Sequence, residues 1–168
     1  MDNKQIEEAL ILAVVAAKKA CSAILEVYQT HDVEVQIKQD NSPVTLADQN
    51  ANSIIISILQ TLNIPIISEE GEIAAYDVRK NWEYVWLIDP LDGTKEFIKR
   101  NGEFTVNFAL IHNQKPILGV IAVPVTGELY FSTMQLGAYY TNYSYLSESI
   151  ELMELIGASI RLPALHNE

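Results

Sequence analysis

The spacing of hydrophobic and polar positions changes several times along the chain, and it first predicts two helices. In the first segment apolar residues recur three and four positions apart, as on one face of an amphipathic helix. These positions are Ile6, Leu10, Ala13, Val14, Ala17, Cys21, Ile24, Leu25 and Tyr28. A second helix is predicted from near Thr45 to Leu62, with Ala47, Ala51, Ile54, Ile55 and Ile58 on its apolar face.

The remaining segments have the pattern of strands. Val33, Val35 and Ile37 alternate with polar residues, and residues 40–43 (DNSP) are typical of a turn. Further strands are predicted at 64–67, 85–88, 104–111, 117–123, 129–132 and 138–140, with hairpin turns at 113–114 and 126–127. This order of elements predicts an α+β fold, in which two N-terminal helices pack on a largely antiparallel sheet.

Charge and composition narrow the range of partners. The formal net charge of −11 disfavours nucleic acid and anionic membranes, because both recruit basic surfaces. A phosphorylated small molecule remains a candidate substrate if bound cations reverse the local field. Cys21 is the sole cysteine, and no apolar stretch approaches the length of a membrane span, so we expect a cytoplasmic protein.

Candidate chemistry is concentrated in residues 86–94 (WLIDPLDGT). An apolar strand leads to Asp89, Pro90 interrupts the backbone pattern, and Asp92 follows three residues later. A tight turn would direct both carboxylates and the Leu91 carbonyl to one point, which is the oxygen-only ligand set that magnesium prefers. Gly93 and Thr94 then begin a short predicted helix whose backbone N–H groups suit a phosphate oxygen. An Asp-Gly turn alone would be ordinary, but the full string favours a metal site.

Two other acidic segments have less specific signals. Glu69 and Glu70 follow the strand at 64–67, where they fit either a solvated loop or metal ligands paired with Asp89 and Asp92. Asp48 lies in the predicted first turn of the second helix, where Thr45 fits a helix cap. From the residues alone, both interpretations remain open at each segment.

Together these motifs resemble the inositol monophosphatase superfamily. The resemblance rests on residues 40–48 (DNSPVTLAD), 68–70 (SEE) and 89–94 (DPLDGT), in that order. The extension at 95–107 (KEFIKRNGEFTVN) is similar to the 3'(2'),5'-bisphosphate nucleotidase branch. The likeness runs from the first helix to about residue 140. Members of the family carry a Trp-Asp motif in their second half, and its aspartate is another metal ligand. This sequence lacks that motif, since Trp82 and Trp86 both precede residues 89–94.

The resemblance implies a role for each matching residue. Glu69, Asp89, Asp92 and the Leu91 carbonyl match the family's magnesium ligands, and Glu70 matches a neighbour that helps to hold a further metal and its water. Asp48 and Thr94 match the pair that polarises the attacking water. Gly93 and Thr94 match the backbone donors to the scissile phosphate.

The implied activity is magnesium-dependent hydrolysis of the 3'-phosphate of 3'-phosphoadenosine 5'-phosphate, which gives AMP and phosphate. The alternatives are an inositol monophosphatase or sugar bisphosphatase, and an inactive, truncated domain that acts only in metal binding or assembly. We expect residues 1–140 to form the N-terminal metal-binding domain and 141–168 a divergent tail, with the family's C-terminal domain absent. A sheet edge left uncovered in this way would favour a homo-oligomer.

Overall fold

Helices lie against one face of a seven-stranded sheet, as the α+β prediction requires. The computed structural model describes residues 1–30, 35–37 and 43–163. The sheet is formed by the chain after residue 65, and the two long helices come before it. The core lies between these two layers.

The first two helices confirm the periodicity of the sequence. Helix α1 spans Asn3–Gln29, and its first turn is fixed by a capping box between Asp2 and Gln5. Helix α2 spans Leu46–Leu59 and begins at the cap Thr45; a 3₁₀ turn, Gln60–Leu62, then carries the chain to the predicted end. The apolar face of α1 is mostly alanine, which allows close helix packing. Three short helices follow: α3 Tyr76–Arg79, α4 Thr94–Lys99 and α5 Leu152–Gly157.

Among the described residues, nine strands form two sheets. A small hairpin joins β1 Val35–Ile37 to β2 Pro43–Thr45. The main sheet contains β3 Ile66–Ser68, β4 Tyr84–Asp92, β5 Thr105–His112, β6 Lys115–Val123, β7 Glu128–Thr133, β8 Gly137–Asn142 and β9 Ile160–Arg161, in that spatial order. Only the β3–β4 pair is parallel; every other neighbouring pair in this sheet is antiparallel.

Strand β4 departs from the prediction at the motif itself. The sequence predicts that the strand stops before Pro90 and that a tight turn follows, but β4 continues through Asp92. Its pairing with β5 shifts register between Asp89 and Asp92, and this irregularity accommodates the proline, which cannot donate a ladder hydrogen bond. The two aspartates therefore follow a strand bulge instead of a turn.

Other differences are smaller. Pro43, predicted as part of a turn, begins β2 instead, and β9 was not predicted at all. Val33 and residues 40–42 lie outside the described residues. The chain after residue 142 returns to the sheet, since β9 pairs with β8 and the Leu162 N–H donates to the Ala138 carbonyl at 2.8 Å.

The two faces of the main sheet differ in burial. Side chains such as Trp86, Leu110 and Val120 on one face are buried beneath the helices, whereas Leu87 and Ile121 on the other are 41% and 46% exposed. A groove of about 810 Å³ crosses this second face, called here the open face, and reaches the carboxylates at the end of β4. In the described part of the chain, no helix is long and apolar enough to cross a membrane.

Candidate active site

Three carboxylates lie near one another where β3 and β4 end. These two strands are parallel neighbours, so their C-terminal ends lie at the same edge, and the Glu69 N–H donates to the Ile88 carbonyl at 3.0 Å. Asp89 therefore lies beside Glu69, and their side chains are hydrogen-bonded. Asp92, beyond the register shift, also acts electrostatically on Asp89. The structure thus brings together the three predicted carboxylate ligands.

The electrostatics of this cluster are unfavourable for three negative charges. Partial burial, as the largest cause, and the neighbouring carboxylates of Glu69 and Asp92 together raise the pKa of Asp89 to about 7. The Leu91 N–H, which donates to Asp89 Oδ1 at 3.2 Å, opposes this shift only in part. The two charged neighbours that act on Asp89 are both acidic, so the cluster is suited to a cation.

Asp48 lies in a second group, at the start of α2. It is fully buried, and its Oδ2 atom accepts from the Thr45 hydroxyl at 2.6 Å and from the Thr45 N–H at 2.8 Å. Its other oxygen, Oδ1, accepts from the Thr94 hydroxyl at 3.0 Å. Thr45 is the cap of α2, and Asp48 is at the same time a partner of Thr94.

Thr94 joins the two groups. Besides its bond to Asp48, its hydroxyl lies 3.4 Å from the Leu91 carbonyl oxygen, on the strand that carries Asp89 and Asp92. Thr94 is the first residue of α4 and follows Gly93, which has a positive φ of 98°. A Cβ atom at Gly93 would lie 2.9 Å from the Glu103 carbonyl oxygen, so glycine is required for both conformation and space.

Two residues that the sequence analysis did not assign also contact the site. The Ser68 hydroxyl donates to Asn52 Oδ1 at 2.7 Å and accepts from the Glu70 N–H at 3.3 Å, which ties the acidic end of β3 to α2. Asn107 donates to Asp92 Oδ2 at 3.2 Å. No spacing rule could have identified the contacts of Ser68 with Asn52 and of Asn107 with Asp92, because strand pairing and helix packing create them. Glu70 is half-buried beside Glu69, as its position in the chain predicts.

The donor chemistry fits a hard cation. Carboxylates and the Leu91 carbonyl offer oxygen atoms alone, and magnesium usually completes such a set with water and substrate phosphate. Within residues 1–30, 35–37 and 43–163, no three His, Cys, Asp or Glu side chains converge as a finished metal-binding cluster. Glu69, Asp89 and Asp92 are thus neighbours that form an open set, in which Glu69 and Asp92 both act electrostatically on Asp89.

Comparison with known proteins shows which family this chain belongs to. The model of the inositol monophosphatase family matches residues 5–160. The chain belongs to the inositol monophosphatase family. The crystal structure of CysQ from Bacteroides thetaiotaomicron, itself a bacterial member of the family, superposes with a TM-score of 0.85 at 43% identity, over 99% of this chain and 61% of that one.

Curated proteins are also similar to this chain in sequence. The 3'(2'),5'-bisphosphate nucleotidase CysQ of Salmonella typhimurium is 52% identical over 119 residues, which are 69% of this chain and 48% of the relative. The protein of the same name from Escherichia coli strain K12 is 53% identical over 117 residues, 68% of this chain and 47% of the relative. The chain therefore spans about half the length of these relatives.

Proposed function

We propose that this chain carries the metal-binding half of a magnesium-dependent phosphomonoesterase that removes the 3'-phosphate of 3'-phosphoadenosine 5'-phosphate. The observation that carries the proposal is the hydrogen bond from Thr94 to buried Asp48, formed beside the carboxylates of Glu69, Asp89 and Asp92. The substrate class rests on the relatives named 3'(2'),5'-bisphosphate nucleotidases.

Asp48 and Thr94 would handle the proton of the attacking water. Thr94 Oγ1 donates its hydrogen to Asp48 Oδ1, so an oxygen lone pair is left to accept a hydrogen from water. Asp48 cannot turn away, because Thr45 holds its other oxygen with two hydrogen bonds. This pair would orient a water molecule for in-line attack on phosphorus and accept its proton through the Thr94 hydroxyl.

The carboxylates would hold the cation. Glu69, Asp89, Asp92 and the Leu91 carbonyl are the proposed magnesium ligands, with Glu70 beside a further metal and its water. When bound, magnesium supplies positive charge to the phosphate oxygens and makes nearby water more acidic. The backbone N–H groups of Gly93 and Thr94, at the start of α4, would donate to the phosphate. Water would form the new bond to phosphorus as the bond to the 3'-oxygen breaks. The 3'-oxygen would leave with the bonding electron pair and take up a proton, which gives AMP and phosphate.

Phosphate release from 3'-phosphoadenosine 5'-phosphate tests this proposal. We expect magnesium-dependent release by the wild-type chain and a loss of roughly 100-fold or more in Asp89→Asn, because a bound metal stabilises transition-state charge by several kcal/mol. Asp77→Asn is the matched control. Asp77 is exposed on α3, and its carboxylate forms an ion pair with Lys80.

The outcomes separate the candidate functions. Faster release from an inositol phosphate or a sugar bisphosphate would transfer the activity to that substrate and leave the site assignment intact. No release above background from any of these compounds by folded wild-type chain would contradict catalysis and favour a domain that acts in metal binding or assembly.

A further inference from the structure

Asn107 lies directly across the strand pair from the proposed metal ligands. It is the third residue of β5, where it pairs with Asp89 on β4. Because directly paired residues point to the same face of a sheet, its side chain lies on the open face beside Asp89. The next pair along, after the register shift, joins Thr105 to Asp92.

The amide of Asn107 binds one carboxylate of the cluster. Its Nδ2 atom donates to Asp92 Oδ2 at 3.2 Å and lies 3.1 Å from the Thr105 hydroxyl oxygen. An ionised carboxylate only accepts, so the amide nitrogen and not its oxygen must face Asp92. The second bond, to Thr105, fixes the direction of the amide. Asp92 is exposed and lacks the packing that would otherwise hold its side chain in one rotamer.

We propose that Asn107 is a positioning residue that holds Asp92 in the orientation needed to bind a divalent cation. This inference rests on the proposed function. With Oδ2 held by Asn107, Asp92 keeps Oδ1 for the cation. Outer residues that orient ligands in this way typically change metal affinity by about 10- to 100-fold when they are removed.

A neutral donor is the chemically suitable choice at this position. A lysine or arginine would hold Asp92 equally well, but its positive charge would compete with the cation for Glu69 and Asp89. An aspartate would add a further negative charge and would lose the donor. The asparagine amide orients the carboxylate and leaves the negative charge of the cluster unchanged.

Manganese binding followed by electron paramagnetic resonance tests the inference without any turnover. Free Mn²⁺ is measured during titration of the wild-type chain, Asn107→Ala, Asn107→Gln and Asp92→Asn. The matched control is Asn101→Ala, because the Asn101 amide also donates to a carboxylate, that of Glu103, at 3.1 Å. Thermal unfolding of each variant in chelator gives its stability without metal.

We expect about 10-fold weaker Mn²⁺ binding in Asn107→Ala, with the Gln variant nearer to wild type because it keeps the donor. Binding in Asn101→Ala should equal that of wild type. Equal affinity in the wild type and Asn107→Ala, with binding lost in Asp92→Asn, would overturn this inference and leave the proposed cation site standing. A drop in the melting temperature of Asn107→Ala that accounts for its weaker binding would also overturn it. Absence of Mn²⁺ binding by the wild type would overturn the cation site and this inference together.

Discussion

Asp89 is the residue whose charge state depends most on its neighbours at the end of β4. Burial, Glu69 and Asp92 raise its pKa to about 7, well above the ordinary value for an aspartate. Between about pH 4 and 7 the folded chain therefore holds a proton that the unfolded chain has lost. Stability contributed by this group falls as pH rises through that window, since the unfolded state binds fewer protons than the folded state.

Asp89→Asn should remove this pH dependence in metal-free buffer. An asparagine resembles the neutral form, so we expect the variant to be more stable than wild type at pH 8 by about 1–2 kcal/mol, a value reduced for solvent screening. At pH 4 the two should be nearly equal. Urea unfolding in chelator at both pH values measures the difference. A variant that is less stable than wild type at pH 8 would contradict the proposed charge crowding.

For single residues, the sequence identifies the acidic side chains of the site more readily than their hydrogen-bond partners. Asp89, Asp92 and Glu69 could be named because each follows an apolar strand, and the structure does bring them together. Asn107 could not be named in a role, because it is separated from Asp92 by 15 positions and meets it only through strand pairing across a register shift. The catalytic and metal-binding roles of the named residues stay predictions.

At the scale of elements, the start of α2 combines helix capping with the site. Thr45 accepts from the Ala47 N–H at 3.2 Å and donates to Asp48, and both Thr45 and Asp48 are buried. The same hydroxyl therefore satisfies a free N–H group of the helix and a carboxylate with no access to water. Loss of the hydroxyl would remove the acceptor of the Ala47 N–H and one of the two donors to Asp48 Oδ2, which keeps the Thr45 N–H.

Thr45→Val should be destabilising by about 2–3 kcal/mol. Valine keeps the branched shape, but the cap contributes about 1 kcal/mol, and the loss of one of the two hydrogen bonds to the buried Asp48 Oδ2 costs about a further 1–2 kcal/mol. Thr30→Val is the control, because the Thr30 hydroxyl donates to the Val27 carbonyl in an exposed position, where a change within about 0.5 kcal/mol is expected. Denaturant unfolding compares them, and similar losses in both variants would refute a special role for Thr45.

Element boundaries were predictable where periodicity was strong and failed where backbone chemistry intervened. Helices α1 and α2 and the strands β5 to β8 follow from apolar spacing and turn residues. Strand β4 was predicted too short because Pro90 normally ends a ladder, and the register shift that tolerates it leaves no signal in the sequence. The short strand β9 was missed because two residues carry no period.

At the scale of the whole molecule, the two faces of the main sheet are unequally covered. The α+β prediction and the family are confirmed, but nothing tests the domain boundary at residue 140 or the expected homo-oligomer. The sequence predicts an uncovered sheet edge, and the structure shows in addition an uncovered sheet face. Exposed apolar residues such as Leu87 and Ile121 lie together on this open face. Surfaces of this kind favour association.

Ile121→Lys should therefore weaken self-association. Ile121 lies on the central strand β6 and faces the groove, so a lysine would introduce charge into the middle of an apolar contact. Met153→Lys is the control, because Met153 is 80% exposed on α5 and does not line the groove. Sedimentation velocity over a concentration series measures the effect. A wild-type chain that stays monomeric throughout would contradict the expected homo-oligomer.

The order of strands in the main sheet also bears on how the chain folds as it is synthesised. From β3 to β9 each strand lies beside the one that precedes it in the sequence, so the sheet can grow at one edge as each new segment leaves the ribosome. Helix α1 is made before the sheet, but part of its apolar face packs on β5 and β6, which are made much later. During that interval α2, the other long helix among the described elements, can cover part of that face, and the rest stays exposed as apolar surface until β5 and β6 are made.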